Sequence, residues 1–298
     1  MASSNIFKAA LWMMGAVVSF TGMALAGRYL ASDYDTFEIM LYRSLTGIFI
    51  IALVLSFTGR WKDVSTTHIS RHFFRNVAHF SGQNLWFFAL TLAPLAQVVA
   101  LEFTYPLWVA LVAPFFLGER FMLVKFSAIL LGFMGILLVT RPFTGVIDLG
   151  VMVAAAAAIG FAITNIITKT LTTRETLGAI LFWLTAMQCV FGLITAGWDF
   201  DIAAPSLGFA PYLIAVGIFG LFAHFCLTSA LQIAPASTVL PMDFLRLPLI
   251  AVIGMQFYNE PIDIYVFFGA TLICTGILIL LLSDRMHKKR VVAPLEKP

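Results

Sequence analysis

Charge is what this 298-residue sequence has least of: 11% of its residues are Asp, Glu, Lys or Arg, against 61% hydrophobic, and mean hydropathy is +0.97. A soluble domain needs about a quarter of its residues charged to cover its exterior, so a soluble globular protein is excluded. Cysteine is scarce as well. Cys189, Cys226 and Cys274 all fall in apolar runs, where they cannot build a disulfide framework and read as packing residues. No HExxH, GxSxG, Walker loop or metal-ligand cluster is present. An enzyme reading would rest on stray histidines alone, and no cofactor and no metal are expected.

Long apolar runs are what the chain does have. Ten of membrane-spanning length, about 20 residues, lie at 7–27, 37–57, 75–92, 95–117, 121–140, 148–168, 177–197, 210–231, 235–257 and 263–282. Short connectors rich in Pro, Gly, Asp or basic residues separate them, among them GRWKD (59–63), TRPFTG (140–145) and NEPID (259–263). Hydrocarbon offers a free backbone no hydrogen-bond partner, so runs of this length are expected to be helices. Positive charge is retained on the cytoplasmic side of short loops. With both termini cytoplasmic, 14 of the 18 Lys and Arg fall on that side, Arg28 and Arg141 lie outside, and Arg43 and Arg246 lie within spans. The closing cluster Arg285, Lys288, Lys289 and Arg290 then reads as a topology anchor rather than a nucleic-acid patch. Ala24-Leu25-Ala26-Gly27 imitates a signal-peptidase site, but the first span has a later counterpart that cannot be a signal, and it is read as uncleaved.

That counterpart emerges when the chain is laid on itself with a shift of 141 residues. Residues 89–119 then align without a gap to 230–260, with nine identities in 31 positions, and the same shift pairs Arg28 with Lys169, Gly135 with Gly276 and Glu102 with Asp243. The chain reads as a duplicated five-helix unit, residues 1–141 and 148–298. An odd number of crossings forces the second copy to enter the membrane from the opposite side. The expected fold is therefore an all-α polytopic membrane protein of ten transmembrane helices in two inverted five-helix repeats. Inverted repeats are a recurrent architecture of secondary transporters, because similar halves exchange inward-open and outward-open forms about a central site.

The run ALTLAPLAQVVALEFTYPLWVALVAPFFLGER with LLGFMGILLV, repeated more loosely as ALQIAPASTVLPMDFLRLPLIAVIGMQFYNEP with CTGILILLL, resembles the EamA-type transporters of the drug/metabolite transporter superfamily. The resemblance covers nearly the whole chain. It implies ten helices in two inverted repeats, a central cavity lined mostly by helices 1, 3, 4, 6, 8 and 9 with 5 and 10 peripheral, and transport of small organic metabolites. It does not name the substrate.

VLPMDFLRLPLI (239–250) places Asp243 and Arg246 near the middle of the ninth span. Each charge there costs about 2.5–3.5 kcal/mol on insertion scales. Three residues apart on a helix, they can neutralise one another, yet apolar residues in place of a buried ion pair are often as stable or more so. A site role is the better account. Glu102 lies at the equivalent depth of the fourth span, and Tyr105 is the counterpart of Arg246. Two carboxylates near the midplane can bind a cation, hold a substrate amine or accept a coupling proton. Glu102, with no base at helical spacing in its own span, is the first candidate proton carrier and Asp243 the second.

RNVAHFSGQNLWFF opens the third span and sets Arg75, His79, Gln83 and Trp86 on one helical face. His224, counterpart of Gln83, and Asn165 complete the substrate-binding candidates. Asn84 adds an amide, and Trp12, Trp86, Trp108 and Tyr105 are candidates for stacking on a planar substrate. Arg43 is expected to balance an acid or to sit near headgroups. Glu119 and Glu260 are read as structural caps, and Gly132, Gly135, Gly269 and Gly276 as points of close helix packing. The expected function is secondary transport of a small polar or zwitterionic metabolite, such as an amino acid, by alternating access with proton coupling or exchange. The alternatives are a larger aromatic metabolite, such as a flavin or a nucleoside derivative including S-adenosylmethionine, and an integral membrane enzyme. The expected partners are the substrate and membrane lipids of a bacterial inner membrane, with no nucleic acid, and the protein acts as a monomer or homodimer.

Overall fold

A computed structural model describes residues 2–93, 95–119, 122–140, 149–198, 200–258 and 264–292, and every regular element among them is helical. The first repeat supplies α1 (Ala2–Leu30), α2 (Thr36–Thr58), α3 (Ile69–Leu92), α4 (Leu95–Glu102), α5 (Tyr105–Phe116) and α6 (Leu123–Thr140). The second supplies α7 (Leu149–Leu171), α8 (Leu177–Ala196), α9 (Ala210–Ile233), α10 (Ala236–Val239), a 3₁₀ run Leu240–Leu245, α11 (Arg246–Tyr258) and α12 (Ile264–Val292). The shift of 141 residues carries α3 onto α9 end for end, and the first residues of α2, α5 and α6 onto those of α8, α11 and α12.

Local chemistry repeats with it. Asp35 accepts from Glu38 N at 2.8 Å while the Glu38 carboxylate accepts from Asp35 N at 3.0 Å, a capping box that starts α2. Its counterpart Thr176 accepts from Ala179 N at 3.1 Å and starts α8. Gly59, in the left-handed region at φ 64°, closes α2 at no steric cost.

The two copies interlock helix by helix. α1 packs on α9, and the counterpart pair α7 on α3; α2 packs on its own counterpart α8, and α6 on α12. Partners run antiparallel. Gly47 of α2 meets Thr185 while Gly192 of α8 meets Leu41, and Gly135 of α6 meets Gly269 while Gly276 of α12 meets Ala128. Each copy is thus threaded opposite to the other. A Cβ on Gly160 of α7 would stand 2.9 Å from Ala78 O and 3.0 Å from Gly82 Cα of α3, so glycine is what lets these two backbones touch.

Among the described residues six stretches are long and apolar enough to cross a membrane: Asn5–Leu30, Thr36–Thr58, Val98–Phe116, Leu149–Leu171, Leu177–Ala196 and Ala210–Ile233. Leu123–Leu138 and Phe267–Ser283 are shorter apolar helices. α3 spans 24 residues but turns His72, Arg75, Asn76, His79 and Gln83 inward, which lowers its hydropathy without exposing it.

The spans expected to be continuous at 95–117 and 235–257 are not. The first breaks at Phe103-Thr104, where Pro106 opens α5 without an N–H to lose. The second winds through α10 and the 3₁₀ run, with Pro241 in that run and Pro248 in the first turn of α11. Discontinuous helices at matching places in two repeats are where carriers of this architecture build their sites. Arg120, Arg141, the TRPFTG connector beyond Thr140 and Glu260 with the NEPID connector lie outside the described residues.

Candidate functional site

Both breaks point at one spot. Glu102 ends α4, Asp243 lies in the 3₁₀ run and Arg246 opens α11, so three charges meet where regular hydrogen bonding lapses. Arg246 Nη2 donates to Glu102 Oε1 at 2.6 Å and to Asp243 Oδ2 at 2.9 Å. In a 3₁₀ segment positions i and i+3 eclipse, which brings Asp243 under Arg246. Glu102 Oε2 takes the indole N–H of Trp86 at 2.8 Å, and the Tyr105 hydroxyl donates to Asp243 Oδ2 at 3.3 Å. The guanidinium lies 4.9 Å from the ring centre of Phe103 and 5.4 Å from that of Phe20, positions that favour a cation electrostatically.

The expectation that Glu102 stands without a base needs correction. No base lies at helical spacing in its own span, but the other repeat supplies Arg246. That leaves Asp243 as the open acid: its Oδ1 is buried with no hydrogen-bond partner, as is Arg246 Nε. One guanidinium serves two carboxylates, so the cluster carries one negative charge in excess when both acids are ionised.

A cavity of about 40 Å³ adjoins the cluster. All ten candidate substrate-binding residues border it: Arg75, His79, Gln83 and Trp86 from α3, Glu102 and Tyr105 at the first break, Asn165 from α7, His224 from α9, and Asp243 and Arg246 at the second. Its other walls include Phe20 of α1 and Phe161 of α7, which are counterparts under the repeat. Spans 1, 3, 4, 6, 8 and 9 therefore supply the walls, and no described residue of α2, α6, α8 or α12 is among them. At about 40 Å³ the chamber has room for roughly three waters; a metabolite enters only if the halves part.

On the same chamber wall as Phe20, His79 and His224 meet edge to face, ring centres 4.7 Å apart, with both nitrogens of His79 and Nε2 of His224 unpartnered. Arg75 Nε donates to the Thr168 hydroxyl at 2.9 Å and Nη1 to Asn76 Oδ1 at 3.4 Å. The Asn165 amide donates to Phe161 O at 2.9 Å, leaving its oxygen for other partners.

Three expectations fail. Trp12 and Trp108 are 37% and 48% exposed and stand outside the chamber, Trp12 edge-on to Phe225, because each sits on the outward side of its helix. Asn84 does not border the chamber; its amide donates to Phe80 O at 2.8 Å and its Oδ1 is buried without a partner. Arg43 neither balances an acid nor reaches a surface. It is buried against Gly220 of α9, and among the described residues its hydrogen-bond partner is Met40 Sδ at 3.8 Å. That slot was invisible in the sequence because it needs a glycine on a distant helix.

Glu119 accepts from Ala236 N at 2.7 Å and from Ser237 N at 3.2 Å, and so caps α10 of the other repeat. Lys169 donates to Leu231 O and Ala234 O at the end of α9. Together they fasten the α9–α10 turn.

The profile of the EamA-like transporter family matches this chain twice, at residues 7–141 and 148–282. The chain belongs to the EamA-like transporter family. Among curated relatives, an S-adenosylmethionine uptake transporter of Rickettsia bellii is 24% identical over 282 residues, covering 93% of this chain and 95% of its own length. A riboflavin transporter of Brucella anthropi is 31% identical over 244 residues, covering 79% and 86%. A protein of known crystal structure superposes with a TM-score of 0.78 over 93% of this chain and 98% of its own, at 16% identity, a likeness of fold. This EamA-like protein is thus an integral membrane transporter with a small-molecule substrate, and its family is one of carriers rather than enzymes.

Proposed function

We propose that the protein is a secondary carrier of ten membrane crossings, with both termini cytoplasmic, that moves a heteroaromatic metabolite of the nucleoside-derivative or flavin kind, S-adenosylmethionine among them, by alternating access in a bacterial inner membrane. The observation that carries this reading is the meeting of two broken helices, one from each antiparallel repeat, at Glu102, Arg246 and Asp243. Rings of Phe20, Phe161, Trp86 and Tyr105 around that charge suit a planar group with a polar or cationic centre, and relatives named for S-adenosylmethionine and riboflavin point the same way. The distribution of basic residues supports the orientation. A small zwitterion such as an amino acid is the competing reading, favoured by the opposite charges of Asp243 and Arg246.

The excess acid ties transport to protons. Asp243 Oδ1, an acceptor without a partner, takes either a proton or a donor group of the substrate, so the two compete. Proteoliposomes holding the purified protein should accumulate labelled S-adenosylmethionine or riboflavin saturably, with a rate that changes with an imposed pH gradient. Failure to move either compound, with amino acids transported instead, would return the site to the small-zwitterion reading; a protein that moves no solute would end the carrier account.

A further inference from the structure

Two buried guanidiniums in this protein lack an acid. Among the described residues Arg246 takes both central carboxylates, while Arg43 and Arg75, 5% and 0% exposed, pair with none. Removing a cation from water without a counter-charge is costly, and Arg75, unlike Arg43, borders the chamber. Its Nε and Nη1 are committed to Thr168 and Asn76, and no described group accepts from Nη2. Beside it stand the unpartnered nitrogens of His79 and His224. The chamber is thus polarised, with one surplus negative charge at Asp243 and an unanswered positive charge, with further nitrogen donors, at Arg75.

We propose that Arg75, positioned by the Thr168 hydroxyl, which accepts from its Nε and donates to Thr164 O, forms with the imidazoles of His79 and His224 an anion subsite that receives a carboxylate or phosphate of the transported metabolite while its cationic or polar end lies at Asp243. Helix geometry sets the span. Arg75 lies eleven residues along α3 from Trp86, which touches Glu102, or about 16 Å of helix rise. An α-amino acid, whose ammonium and carboxylate share one carbon, is far shorter than this separation of backbone positions, whereas an elongated heteroaromatic metabolite covers more of it; S-adenosylmethionine would set its carboxylate at Arg75 and its adenine amino group, rather than its ammonium or sulfonium, toward Asp243. This inference rests on the heteroaromatic reading and adds to it a requirement for a terminal anionic group.

The test uses the full chain in lipid nanodiscs and two probe pairs, S-adenosylmethionine with its decarboxylated analogue and riboflavin 5′-phosphate with riboflavin, alongside inorganic phosphate. In at least one pair the anionic member should bind ten-fold or more tightly than its partner. Arg75→Gln should abolish that preference and Arg75→Lys should keep part of it, with thermal unfolding of each variant confirming a folded protein. Equal affinities within each pair that binds the wild type, or a preference that survives Arg75→Gln, would overturn the subsite. If none of the four organic probes binds, yet phosphate raises the Tm of the wild type and not of Arg75→Gln, the subsite stands and the heteroaromatic reading falls. If phosphate shifts neither Tm in that case, the subsite is overturned.

Discussion

Tyr42 and Trp183 stand at equivalent positions of the two copies, and each fastens the connector facing it: Tyr42 Oη donates to Ala203 O at 2.6 Å and Trp183 Nε1 to Ser65 O at 2.8 Å. Around the first, the Tyr34 hydroxyl bonds Ala204 O at 3.3 Å and Glu38 accepts from Ala203 N at 2.6 Å. Around the second, His68 Nδ1 lies 2.8 Å from Glu175 Oε1, and the Thr176 hydroxyl donates to Asp63 O at 3.2 Å. Opposite threading puts these two fastenings at opposite ends of the bundle.

Loss of either bond should favour opening at its own end. One hydrogen bond is worth about 1 kcal/mol net, enough to shift a balanced equilibrium several-fold. With Cys189, Cys226 and Cys274 replaced by alanine and a reporter cysteine at Thr228 in the chamber wall, Tyr42→Phe should speed thiol labelling from one side of the membrane and Trp183→Phe from the other. Equal labelling from both sides in both variants would take these bonds out of gating.

At the charge centre, Arg246→Leu leaves two buried carboxylates facing one another. Destabilisation of about 3–5 kcal/mol is expected, the usual cost of breaking a buried pair by removing one partner. Replacing Glu102, Asp243 and Arg246 together by leucine should restore thermal stability to near wild type while abolishing transport. A triple variant as unstable as the single one would mean that packing, not charge, holds this point.

Glu102→Gln and Asp243→Asn each leave one acid against one base and so remove the excess charge. Both should flatten the pH dependence of transport. Only Asp243→Asn should also cost substrate affinity, by ten-fold or more in direct binding, because its Oδ1 is the free acceptor. An unchanged pH profile in both variants would separate these acids from proton coupling.

Gly220 and Arg43 form a coupled pair. A Cβ at 220 would stand 2.5 Å from Arg43 Nε, so Gly220→Ala should destabilise by about 1–3 kcal/mol, as overpacking does. Adding Arg43→Met should recover most of that loss in a double-mutant cycle. Additive effects would show that the guanidinium does not occupy the slot.

Much of this arrangement was legible in one sequence because its causes are periodic. The shift of 141 residues survives in both residue identity and helix ends, and the spacing of Arg75, His79, Gln83 and Trp86 placed them on one face that does line the chamber. What escaped depends on contacts between distant segments. The partner of Glu102 lies 144 residues away, and the break at Phe103-Thr104 carries no glycine to announce it. Trp12 and Trp108 looked like stacking rings because composition says nothing of which side of a helix meets lipid.

The inequality of Tyr105 and Arg246 has an evolutionary consequence. An ancestor assembled from two identical chains would have carried the same residue at both places. Tyrosine twice would have left two buried acids with no base, and arginine twice would have balanced them completely. A lone guanidinium shared by two carboxylates is available only once the two copies differ in sequence. On this view the exchangeable charge at the heart of the carrier is younger than the fold that surrounds it.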